Sequence, residues 1–137
     1  MSKLKAIFKT PKDKHYFFGY YDKSPLSLDE TKHLALEVDF IDHIPNKEDE
    51  AKIGYFDLEK NDNIFHQINT TKTFNWQQGC MLQWFGDKNS QIIYNDLVDN
   101  KFVSIVYNLN TKEKITLPMA IYTLSSDNNF ALCIDNE

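Results

Sequence analysis

The chain has 137 residues, 42% of them hydrophobic and 14% aromatic, with only 4 Gly and 4 Pro. It is long enough to bury a core, and its composition is neither that of a disordered segment nor collagen-like. Net charge is -5 and all 15 basic residues are lysine; without arginine's planar fork for phosphate or guanine edges, the sequence argues against nucleic acid as a partner.

Residues 1–14 read as a lead-in of charge +4, from Lys3, Lys5, Lys9, Lys12 and Lys14 against Asp13, which leaves -9 for the rest. A secretory signal would need an apolar run of about 7–15 residues after this basic start. The polar stretch from Thr10 to Lys14 comes first. The expectation is a cytoplasmic protein without a membrane span, periplasmic only if a leader has been removed.

From residue 15 the apolar positions recur at every second residue. A first unit, 15–71, opens on an aromatic-containing strand that ends in a polar turn at 28–32. Leu34, Leu36, Val38 and Phe40 then share one face, the period-two signature of a strand. The charged stretch 42–50, with Pro45, reads as a loop inserted before a third strand at 53–58 and a fourth around 64–68. A second unit, 72–119, repeats the pattern. Its turn is 86–90, Val103, Ile105, Tyr107 and Leu109 alternate, and a short strand at 114–117 closes it. An incomplete third unit, 120–137, turns at 126–129 and alternates through Phe130, Leu132 and Ile134.

Two helical alternatives compete locally. Ser27 with Glu30 fits a capping box ahead of good helix formers at 32–37, and 47–52 could hold a single helical turn. Alternation through Phe40 favours the strand, because a helix needs three- and four-residue spacing.

The turns carry Asp29, Asp87 and Asp127, at intervals of 58 and 40 residues. Four antiparallel strands per unit is the arrangement of propeller blades. The predicted fold is therefore all-β and β-propeller-like, with about two and a half four-stranded antiparallel blades. A propeller ring closes with about 4–8 blades, so the chain reads as a fragment of a larger propeller, expected to self-associate through open blade edges.

Two stretches carry a family resemblance, Phe18-Gly19-Tyr20-Tyr21-Asp22-Lys23-Ser24-Pro25 and Asn75-Trp76-Gln77-Gln78-Gly79-Cys80-Met81-Leu82-Gln83-Trp84. With the spacing of Asp49, Ala51, Ile53, Gly54, Asp57 and Leu58, they resemble the opening blades of a bacterial propeller family related to oligogalacturonate lyases and Tol-type propellers. The resemblance implies a role in polysaccharide metabolism. Lyase chemistry needs a base beside a uronate carboxylate and a positive group to stabilise the developing charge. None of His15, His33, His43 and His66 aligns with such a position, so no catalytic residue is assigned and whether the protein is an enzyme stays open.

Tyr20, Tyr21 and Asp22 precede the first blade's turn as Asn75, Trp76, Gln77 and Gln78 precede the second's, and matching positions in successive blades line one mouth. Aromatic faces beside amides and a carboxylate suit an oligosaccharide or polysaccharide. The same aromatics could instead wedge blades together, with Asp22 and Asn75 satisfying turn backbone. Asn95-Asp96 ends a strand as a turn that could reach the same mouth. The competing function is a non-catalytic scaffold binding another protein through its rim and the 42–50 insertion. Cys80 and Cys133, on strand-like segments without zinc spacing, read as buried free thiols. No cofactor is expected, although the Asp39, Asp42 and His43 grouping leaves room for a weakly bound divalent cation. Asn69-Thr70-Thr71 is a chance glycosylation sequon.

Overall fold

The computed structural model describes residues 4, 6, 8–19 and 21–133. Ten strands follow one another with no helix among the described residues: β1 (His15–Phe17), β2 (Lys32–Val38), β3 (Ala51–Asp57), β4 (Phe65–Thr71), β5 (Gln83–Trp84), β6 (Gln91–Val98), β7 (Lys101–Asn108), β8 (Lys114–Leu117), β9 (Ile121–Leu124) and β10 (Ala131–Cys133). They form two four-stranded sheets, β1-β2-β3-β4 and β5-β6-β7-β8, and a β9-β10 hairpin. Every pairing is antiparallel and every strand pairs with its sequence neighbour.

The sheets stack through apolar faces, and the second sheet packs on both of its sides. Leu34, Leu36 and Val38 of β2 with Ile53 of β3 meet Ile92 and Tyr94 of β6 and Val103 and Ile105 of β7 in the main core. The opposite face of the second sheet, through Ile93 and Val106, packs on Met81 and Ile121, with Tyr122, Leu124 and Cys133 alongside. Neighbouring positions on β6 thus face different layers, which is why its run 92–95 is buried throughout.

The internal repeat extends to individual hydrogen bonds. Before β2, Ser27 N–H donates to Lys32 O, Ser27 Oγ donates to Asp29 Oδ1 at 2.6 Å, and Lys32 N–H donates to Ser27 Oγ. Before β10, Ser125 N–H donates to Phe130 O, Ser125 Oγ to Asp127 Oδ1 at 2.6 Å, and Phe130 N–H to Ser125 Oγ. Glu30 and Asn128 occupy the same left-handed corner, φ 59° and 61°. The second sheet uses a turn one residue longer, from Phe85 N–H to Gln91 O, in which Ser90 bonds Asp87. The turns after β3 and β7 also match, since Asp57 Oδ1 accepts Glu59 and Lys60 N–H as Asn108 Oδ1 accepts Asn110 and Thr111 N–H.

Several expectations are adjusted. The helical alternatives give way to strand and turn: Ser27 closes the β-turn just described, and 46–49 is a turn held by Asp49 N–H on Asn46 O. Phe40 and Leu109 lie beyond the ends of β2 and β7 yet still pack on the core. Cys80 is buried but precedes β5, since Met81 at φ 57° breaks the strand, and Cys133 is half-buried on β10. Burial raises the Cys80 thiol pKa, which keeps it neutral. Ile134 falls outside the described residues. No helix is long and apolar enough to cross a membrane among those described.

Candidate functional site

The segment joining β4 to β5 makes a tight corner that the sequence dictates. Asn75 and Gly79 pair through two backbone hydrogen bonds, and Asn75 Oδ1 accepts the N–H groups of Gln77 at 3.0 Å and Gln78 at 2.7 Å. Gly79 sits at φ 61°, and a Cβ there would come within 2.5 Å of Phe18 O. A Cβ on Gly19 would come within 2.6 Å of Gln78 O. The two glycines therefore let the Phe18-Gly19 backbone lie directly on the Gln78-Gly79 backbone.

That contact sets the segments before and within the two predicted clusters side by side, but the described side chains go to different surroundings. Trp76 turns into an aromatic group with Phe17, Phe40 and Phe74, at centroid distances of 5.2, 5.4 and 6.1 Å, and its indole N–H donates to His43 O at 3.1 Å. Gln77 is exposed and Gln78 half-buried; neither side-chain amide has a hydrogen-bond partner among the described residues. Tyr21 is 87% exposed, and Tyr20 lies outside the described residues. Asp22 pairs with Lys23 at 3.0 Å, and both line a separate hollow of about 460 Å³ with Ser24, Gln83, Thr123 and Asn128.

Asn75 and Gln78 instead line a cleft of about 520 Å³ that also takes in Asn46, Lys47, Lys72 and Asn95, with Phe74, Phe102 and Tyr122 supplying apolar and aromatic surface. Sequence reasoning placed Asn75, Gln78 and Asn95 near one mouth and left Lys47 and Lys72 unassigned. Asn95 is not a turn residue. Buried on β6, it donates to Ile121 O at 2.8 Å and accepts Ile121 N–H at 2.7 Å, so its amide pairs with a backbone peptide as a strand would. Thr73 Oγ1, also on the cleft lining, is buried without a hydrogen-bond partner among the described residues.

The loop 39–50 closes one side of the cleft. His43 stacks on Phe40 at 4.2 Å and 9°, and its two ring nitrogens lie 2.8 Å from Asp42 Oδ1 and 3.0 Å from Asp49 Oδ2. Those two hydrogen bonds raise the His43 pKa above its ordinary value. The expected grouping of His43 with Asp39 and Asp42 is thus replaced by one with Asp42 and Asp49. Among the described residues no group of three or more His, Cys, Asp or Glu is placed to hold a metal ion. Asn69 of the sequon is half-buried on β4 and donates to Tyr94 Oη at 2.8 Å.

Lys23 joins layers that are not neighbours. Its ammonium reaches Thr123 Oγ1 at 3.5 Å and stands 5.5 Å over the Tyr122 ring, so the segment before β2 touches β9 although the second sheet separates their layers. Comparison with protein families, curated proteins and solved structures finds no match to this chain.

Proposed function

We propose that this chain is a saccharide-binding module whose sheets radiate like propeller blades, and that the Asn75/Gln78 cleft holds the sugar. Shared turn chemistry in successive units supports the blade reading. The Lys23 contact supports it further: flat layers would keep the first and third units apart, whereas blades converging on an axis let their inner strands meet.

The observation that carries the functional reading is the composition of the cleft. Gln78 presents an amide without a hydrogen-bond partner among the described residues beside Asn75, Lys47 and Lys72, against the Tyr122 and Phe102 surface. Amides and ammonium groups bond sugar hydroxyls, and aromatic surface covers the C–H face of the ring. The test is calorimetric binding of a panel of neutral and uronic-acid hexasaccharides. Gln78→Ala should cost about 1–3 kcal/mol of affinity while leaving the melting temperature unchanged. Unchanged affinity would move the site elsewhere.

A second reading, a protein-interaction scaffold, is favoured by apolar surface on the outer half of the second sheet. Phe102, Ile115, Leu117 and Met119 are 43, 56, 38 and 46% exposed. If no hexasaccharide binds, this surface becomes the functional face.

A further inference from the structure

His43 ties together two cleft walls that come from different segments. Its side chain holds Asp49, and Asp49 Oδ2 also accepts the Asn46 N–H at 3.0 Å, fixing the turn whose Asn46 and Lys47 line the cleft. Its carbonyl holds the Trp76 indole, and Trp76 follows Asn75 on the opposite wall. Phe40 stacking keeps the imidazole between the two.

The geometry around the ring requires a particular charge state. Both ring nitrogens face carboxylate oxygens, and carboxylates only accept. Neutral imidazole has one N–H and one lone pair, so it would satisfy one carboxylate and set a lone pair against the other. The imidazolium donates to both. The other charged groups nearby are Asp39, Lys47, Glu48 and Glu50 on the same loop, and Lys14, Glu37 and Lys52 from the first sheet and the segment before it, which line the hollow beside Asp49. Lys72, 4.0 Å from Glu50, follows the last residue of β4. With Asp42 and Asp49 counted, the carboxylates around the ring outnumber the lysines, and the β4–β5 segment brings the neutral rings of Phe74 and Trp76 against Phe40, on which the imidazole stacks.

We infer that His43 is a proton-operated latch on the cleft: protonated, it clamps the 46–49 turn and the Trp76 corner in one arrangement, and on losing its proton it releases the turn and slackens that wall. Only the identity of the occupant rests on the saccharide reading. The device makes binding stronger in acid than in mildly alkaline solution, with affinity falling about three- to tenfold across the His43 titration.

The experiment is an NMR titration of the full chain from about pH 5 to about pH 8.5, following the His43 ring, the Trp76 indole N–H and the amides of Asn46, Lys47 and Gln78. Hexasaccharide affinity is measured at both ends. The latch predicts one shared midpoint above the ordinary histidine value, lowered in Asp42→Asn and abolished in His43→Gln, with tighter binding at the acid end in the wild type and equal binding at both ends in His43→Gln. Cleft amides that stay constant while His43 titrates would overturn it. So would equal affinity at both ends alongside titrating amides. If the amides titrate as predicted and no hexasaccharide binds at either end, the latch stands and the saccharide reading falls.

Discussion

At the residue scale, the two glycines at the corner decide whether the site exists. Gly79 needs a left-handed backbone and Gly19 a φ of 142°, and each lies against a carbonyl where a methyl group has no room. Gly79→Ala should therefore destabilise the fold by about 1–3 kcal/mol, measured as a lowered urea midpoint with an unchanged slope. Trp76→Ala should cost about 3 kcal/mol, because the indole fills the space between Phe17, Phe40 and Phe74. A melt indistinguishable from wild type would mean that the ring is not part of the packing. Asn95→Asp removes the donor to Ile121 O and places a charge at a buried position, so a loss of about 2–4 kcal/mol is expected. Asn95→Ala should cost less, since it leaves no buried charge. Asn75 was legible as a turn former, but the pairing of Asn95 with Ile121 was not: a buried amide that replaces a strand partner looks the same in sequence as one in a turn.

At the scale of the element, the turns before β2, β6 and β10 share a dependence on acid. Hydrogen bonds from Ser27 and Thr31 hold the Asp29 carboxyl down to about 2, and Asp87 and Asp127 are lowered first by Ser90 and Ser125. A lowered folded-state value means that the stabilisation is present above the ordinary value of 3.8 and is lost as pH falls through the shifted one. The prediction is that amide exchange in these turns accelerates between about pH 4 and about pH 2 before the sheets open, and that Asp29→Asn removes the effect in its own turn. Identical exchange in wild type and variant would contradict it. The strands were legible because bulky apolar residues recur at every second position along β2, β7 and β10. Their ends were less so, because Asn108 ends β7 by accepting two turn N–H groups while Leu109 keeps its core contact. The 42–50 insertion read as an exposed charged loop, and its part in the cleft depends on a contact between Trp76 and His43, 33 residues apart, that no local pattern announces.

At the scale of the whole molecule, each layer rests mainly on the next, so stability should pass from neighbour to neighbour rather than through one shared centre. Lys23 is the described exception. Lys23→Met should raise hydrogen exchange in β9 and β10 while leaving β2 and β3 unchanged, because the stem keeps its packing and the contact with Thr123 is lost. Equal protection in the two proteins would show that the second sheet alone holds the hairpin. The stacking of the first two sheets followed from sequence, since both carry apolar residues on alternate faces. The contact of Lys23 with Tyr122 and Thr123 did not, because no local pattern announces a pairing between residues 100 positions apart.

The serine-aspartate turn has a consequence for how such a chain grows. Each copy closes its hairpin with bonds from its own side chains: Ser125 and Asp127 need nothing from the first sheet to do what Ser27 and Asp29 do there. A gene segment encoding two strands and their turn therefore carries its folding instructions with it. Tandem duplication can add another copy without matching changes elsewhere in the coding sequence. The extra residue between Phe85 and Gln91 shows the same freedom on a smaller scale, since that copy has absorbed an insertion by letting Ser90 replace the missing hydroxyl from the other side of its aspartate.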